Sequence, residues 1–66
     1  MNLTVNNNSH IIDESTTIDK LIEQLNIDSK GIAIAVNFTV VSKENWNKTA
    51  LKENDNITII KATQGG

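Results

Sequence analysis

Residues 16–36 read TTIDKLIEQLNIDSKGIAIAV, and this stretch decides the fold. Ile18, Leu21, Ile22 and Leu25 fall at i, i+3, i+4 and i+7, the spacing of one apolar stripe on an α-helix. Thr16 or Thr17 is placed to cap the helix start, and Asp19 sits where a carboxylate meets the positive end of the helix dipole. The stop signal lies within residues 26–31, where Gly31 reads as a helix or loop terminator. A helix of about ten residues is not stable alone in water, so its stripe must pack on a sheet. The period then changes to two. Ile32, Ile34 and Val36 share one face of a strand, and Ala33 and Ala35 share the other.

Working outward, Met1, Leu3 and Val5 alternate as in a strand, residues 6–9 are turn formers, and residues 10–13 carry Ile11 and Ile12 in a second strand. Together they predict an N-terminal hairpin. On the other side, Asn37 makes a turn and Val40-Val41 resumes a short strand. Residues 42–46 read as a helical turn capped by Ser42, and residues 49–51 as another short strand. Residues 52–56 turn the chain into a last strand, 57–61, with Ile57 and Ile59 facing one way and Thr58 and Ile60 the other. The expected order is β-β-α-β-(β)-β: a two-layer α+β domain over residues 1–61 with its helix on one sheet face. Residues 62–66 lack an apolar pattern and are expected to form a flexible C-terminal tail.

Composition narrows the function. A chain of 66 residues has room for one domain and little room for a deep internal active site. It has no cysteine and one histidine, His10, which excludes a disulfide framework and the usual His/Cys metal clusters, so no metal site is expected. The net charge of -2, without a basic patch, and only two aromatic residues, Phe38 and Trp46, argue against nucleic acid. The first residues carry neither a basic region nor an apolar run, and no run approaches the roughly 20 residues that span a bilayer, so a cytoplasmic location is expected. The ten asparagines create several Asn-x-Ser/Thr triplets, for example at Asn37 and Asn47, read as chance rather than as glycosylation sites.

Side-chain catalysis finds no support. His10 has no nucleophile partner in the pattern and reads as an exposed strand residue. Asp13 and Glu14 are adjacent, and neighbouring residues of an extended chain point to opposite sides, so they read as a solvated turn rather than a proton-sharing pair. Trp46 reads as core cover. What remains is the end of the chain, Gly65-Gly66. Two glycines at the last two positions occur by chance in about one chain in 200. Glycine has no side chain, so such an end, with Thr63 and Gln64 as spacer, can thread a narrow channel and present its carboxylate inside another protein.

The chain resembles the ThiS family of thiamine-biosynthesis sulfur carriers over nearly its whole length. The resemblance is carried by Val5-Asn6 at the end of the first strand and by Thr17-Ile18 opening the helix to Leu25. It continues through Ala35-Val36-Asn37, Val40-Val41, Trp46, the segment 51–59 with Asp55, and Gly65-Gly66. The chain departs from the family pattern in having Asn54 where a glycine is usual, Ser42 where proline is frequent, and Gln64 where a small or apolar residue is common. Asn accepts a left-handed backbone and Ser caps a helical turn, so neither of the first two changes the expected fold.

The resemblance implies a ubiquitin-like β-grasp fold, a mixed sheet of four to five strands with one main helix packed on one face. It also implies a sulfur carrier, a protein cosubstrate rather than an enzyme. The reacting group is the Gly66 carboxylate, with Gln64 and Gly65 threading the tail. A ubiquitin-activator-like adenylyltransferase (ThiF type) supplies ATP and Mg, a persulfide donor converts the acyl-adenylate to a thiocarboxylate, and a thiazole synthase (ThiG type) consumes the sulfur. The carrier itself binds no cofactor. Strand parity places Ala33, Ala35, Ile60 and Ala62 on the face away from the helix, the expected docking patch for the activating partner. The small subunit of molybdopterin synthase, another ubiquitin-like sulfur carrier serving a different metabolite, a protein modifier forming isopeptide bonds, and a plain interaction module remain the alternatives.

Overall fold

The computed structural model describes residues 1–61. In chain order it contains β1 (Asn2–Val5), β2 (Asn8–Ile11), α1 (Ile18–Gln24), β3 (Ile32–Val36), β4 (Thr39–Val41), a 3₁₀ helix (Lys43–Lys48) and β5 (Asn56–Lys61). The strands form one mixed sheet in the order β2-β1-β5-β3-β4, with α1 packed on one face. Among these neighbours only β1 and β5 run parallel.

Both hairpins close through two residues of left-handed backbone. Asn6 and Asn7 have φ of 50° and 69°, and Asn37 and Phe38 have 51° and 70°. Positive φ at both central positions is the tight turn whose twist matches the flanking strands. The first turn is therefore shorter than residues 6–9. Strand β2 begins at Asn8, and its register pairs Leu3 with His10 and Asn2 with Ile11. Ile11 consequently faces solvent, and Ile12, just past the strand, is buried. His10 is half-buried rather than exposed.

Helix α1 buries Ile18, Leu21 and Ile22, with Leu25 packed against the core from its C-cap. The cap at its start differs from the expectation. Neither threonine hydroxyl bonds a helix amide: Thr16 donates to the Asp13 carbonyl at 2.7 Å, and Thr17 donates to the Asp19 carboxylate. Its end is set by Asn26 rather than Gly31. Asn26 has φ 56°, its N–H reaches the Glu23 carbonyl at 3.1 Å, and the Ile27 N–H reaches the Ile22 carbonyl at 3.1 Å. That pair of bonds satisfies two carbonyls of the last turn and folds Ile27 back onto the core.

Residues 49–51 do not form a sheet strand. They make a single bridge, Thr17 with Ala50. The Ile18 N–H donates to the Thr49 carbonyl, and the Leu51 N–H to that of Thr16. The first amides of a helix lack partners within it, and this crossing segment supplies one. The core lies between sheet and helix, centred on Leu3, Ile18, Leu21, Ile34 and Ile57. Trp46, 4% exposed, closes one edge, its indole N–H donating to the Val41 carbonyl at 3.0 Å.

Candidate functional site

Ala62, Gln64, Gly65 and Gly66 lie outside the described residues. The structure does describe the base from which they depart. Strand β5 is the middle strand of the sheet, and Lys61 is its last residue. Antiparallel β3 accompanies it over its upper length, from Val36 opposite Ile57 to Ile32 opposite Lys61. Parallel β1 flanks only its beginning, pairing Thr4 with Asn56 and Val5 with Ile57. Beyond that, the Asn6 side-chain oxygen accepts the Ile59 N–H at 2.8 Å and takes over where β1 stops. Strand β5 is thus held on both sides as far as Ile59 and by β3 alone at Ile60 and Lys61.

The start of β5 is tied down by a cluster of turns. Asp55, 7% exposed, accepts the Asn37 side-chain amide on Oδ1 at 2.9 Å and the Lys52 N–H on Oδ2 at 2.8 Å. The Asn37 Oδ1 in turn accepts the Asn56 N–H at 2.9 Å. The Asp55 carbonyl accepts the Thr4 N–H at 3.0 Å, which joins the same cluster to β1. Asn54, with φ 68°, makes the turn that brings Asp55 inward, and its N–H donates to the Asn2 carbonyl. The sequence reading quoted Asp55 without a role. Its signal was an acidic residue between two asparagines just before an apolar strand.

On the sheet face opposite α1, Ala33 and Ile60 are direct cross-strand partners. Ile60 is 50% exposed and Ala33 is half-buried. Ala35 shares the face but is only 6% exposed, flanked by Thr58 on β5 and Val40 on β4. Ala35 offers a partner almost no surface; Val40, 67% exposed, does. The sequence reading missed Val40, because its face depends on the length of the Asn37-Phe38 turn, which sets Val40 opposite Ala35. The strand registers bring Asn2, Thr4, Ser9, Ile11, Asn56 and Thr58 to the same face, so none of its strand residues is charged.

The helical side is different. An open groove of about 520 Å³ runs between α1 and the 3₁₀ helix, with Ile22, Ile27 and Trp46 beneath a rim of Asp19, Glu23, Lys43 and Glu44. The Lys43 ammonium sits 5.8 Å from the centre of the Trp46 ring. Asp13 and Glu14 are both exposed. Among the described residues no three His, Asp or Glu side chains are placed to hold a metal ion, and no helix is long and apolar enough to cross a membrane.

Comparison with known proteins gives a consistent picture. The model of the ThiS family matches residues 2–66, a span that includes the double glycine. The crystal structure of the thiamine biosynthesis protein ThiS from Geobacter metallireducens superposes with a TM-score of 0.88 at 28% identity, covering all of both chains. The solution structure of a thiamine biosynthesis protein from the same organism gives 0.78 at 28% identity, covering all of this chain and 88% of that one. The sulfur carrier protein ThiS of Escherichia coli K12 is 32% identical over 50 residues, 76% of each chain. A thiazole synthase of Paramagnetospirillum magneticum is 27% identical over 66 residues. The chain spans only 20% of that protein's length.

Proposed function

The chain belongs to the ThiS family, and from that membership we propose that it is a sulfur carrier for thiamine biosynthesis, acting through the Gly66 carboxylate. A carboxylate is a poor electrophile: its charge repels nucleophiles and its oxygen leaves badly. Adenylation changes both. The Gly66 oxygen attacks the α-phosphorus of ATP, held with Mg by a ThiF-type adenylyltransferase, and pyrophosphate leaves. The terminal sulfur of a persulfide then attacks the acyl carbon, and AMP departs with the bonding pair. A thiol cleaves the resulting acyl disulfide, leaving the thiocarboxylate on Gly66 and forming a disulfide on the donor side. A thiazole synthase of ThiG type takes the sulfur.

The observation that carries this reading is the family match running through residue 66, together with a central strand whose last described residue stands five positions before it. Residues 62–66 serve as the tether, Gln64 and Gly65 passing through the partner's channel. The likeness to a thiazole synthase supports an enzyme of that class as the sulfur acceptor. Ala33, Ile60 and Val40 form the docking patch for the activating enzyme, apolar positions on a face with no charged strand residue. Intact mass spectrometry of the protein incubated with the adenylyltransferase, ATP and a persulfide source tests the reading. An oxygen-to-sulfur mass increase located on Gly66 is expected; its persistent absence refutes the carrier role.

A further inference from the structure

Of the two aromatic side chains in the protein, the core uses one. Trp46 is buried, whereas Phe38 is 85% exposed. Phe38 also occupies the second position of its turn with φ 70°, a left-handed conformation that glycine adopts freely and a bulky aromatic residue rarely does. Two unfavourable features therefore coincide at one position, a strained backbone and an apolar ring in water. The ring takes no part in the described core cluster that would offset them. Backbone outliers of this kind concentrate at functional sites.

The position of Phe38 extends a surface already described. Ile60 lies beside the end of β5 and faces Ala33. Val40 comes next on the same face, and Phe38 stands at the tip of its hairpin. Ile60, Val40 and Phe38 are thus spaced across the sheet, from the end of β5 to the β3–β4 turn at its opposite end. We propose that Phe38 is an anchor of the surface that engages the enzyme activating the C-terminus, setting affinity for that partner rather than the chemistry. This rests on the sulfur-carrier reading. The occupant follows from the tail length. Five residues beyond Lys61 reach at most about 17 Å, so a protein holding the Gly66 carboxylate lies against the end of β5, where the apolar band begins. Aromatic side chains are enriched in the desolvated centres of such contacts.

The test is Phe38→Gly. Asn followed by Gly is the favoured pair for this turn, so the variant is expected to keep or raise its denaturation midpoint. In ATP–pyrophosphate exchange with the ThiF-type adenylyltransferase of the same organism, the KM for the carrier should rise about tenfold with kcat unchanged. Phe38→Asn, which also accepts the left-handed backbone, should behave the same way, and Phe38→Tyr should keep the low KM. A KM for Phe38→Gly within twofold of the unsubstituted protein overturns the proposal, as does a lowered kcat at unchanged KM. If the unsubstituted protein itself supports no exchange, the carrier reading falls and this inference with it.

Discussion

The side-chain amide of Asn37 donates to the buried carboxylate of Asp55 at 2.9 Å, across 18 positions of sequence. One residue turns β3 into β4 and the other leads into β5, so this bond locks two turns at the same end of the sheet. It fixes the register of the strand that carries the tail.

Removing Asn37 leaves the buried Asp55 carboxylate one hydrogen bond short, and removing Asp55 frees two turns from their shared anchor. Asp55→Ala should cost about 2–3 kcal/mol, because the Lys52 amide also loses its acceptor. A double-mutant cycle with Asn37→Ala should show a coupling of about 1 kcal/mol or more. Urea denaturation measures both, and additive losses would mean that the two residues act separately.

Asn26 tests the helix stop. With φ 56° it stands where glycine has no steric cost, so Asn26→Gly should be neutral or stabilise slightly. Asn26→Ala should destabilise by about 1 kcal/mol, since a β-carbon resists this backbone. Thermal unfolding distinguishes the pair, and equal midpoints would remove the left-handed cap from the account.

Deleting Gly65-Gly66 should abolish ATP–pyrophosphate exchange and leave the denaturation midpoint unchanged. Every residue of the described core lies at or before Ile59. Full exchange by the truncated chain would exclude the terminal carboxylate as the reacting group.

Ile60→Asp places a charge on the outer sheet face at a position already half open to water. Circular dichroism should be unchanged and the KM for the activating enzyme should rise at least tenfold, since a carboxylate there must be desolvated on docking. Unaltered KM would remove this face from the interface.

Much of the fold was legible because it repeats local rules. The 3.6 period of Ile18, Leu21 and Ile22 and the alternation of Ile32, Ile34 and Val36 placed the helix and β3 correctly. Residues 49–51 misled because a short apolar segment reads the same whether it pairs in a sheet or bridges to a helix start. Asparagine was the subtler signal. Only the Asn-x-Ser/Thr triplets read as chance; Asn6, Asn7, Asn37 and Asn54 already read as turn residues, and with Asn26 all five hold left-handed turn positions. The chain has three glycines and no proline, so asparagine carries most of its turns.

By itself the sequence determined the α+β class and the stripe that buries the helix, and it raised the expectation that Gly65-Gly66 carries the chemistry. Each of these follows from period, residue type or position along the chain. Only the tertiary structure decided that β5 is the middle strand, that Asp55 is buried where two turns meet, and that Val40 rather than Ala35 is open on the outer face. The reason is register. A strand's neighbours and the exposure of its outward residues depend on turn geometry and on pairings between residues distant in sequence, and local pattern holds no record of either.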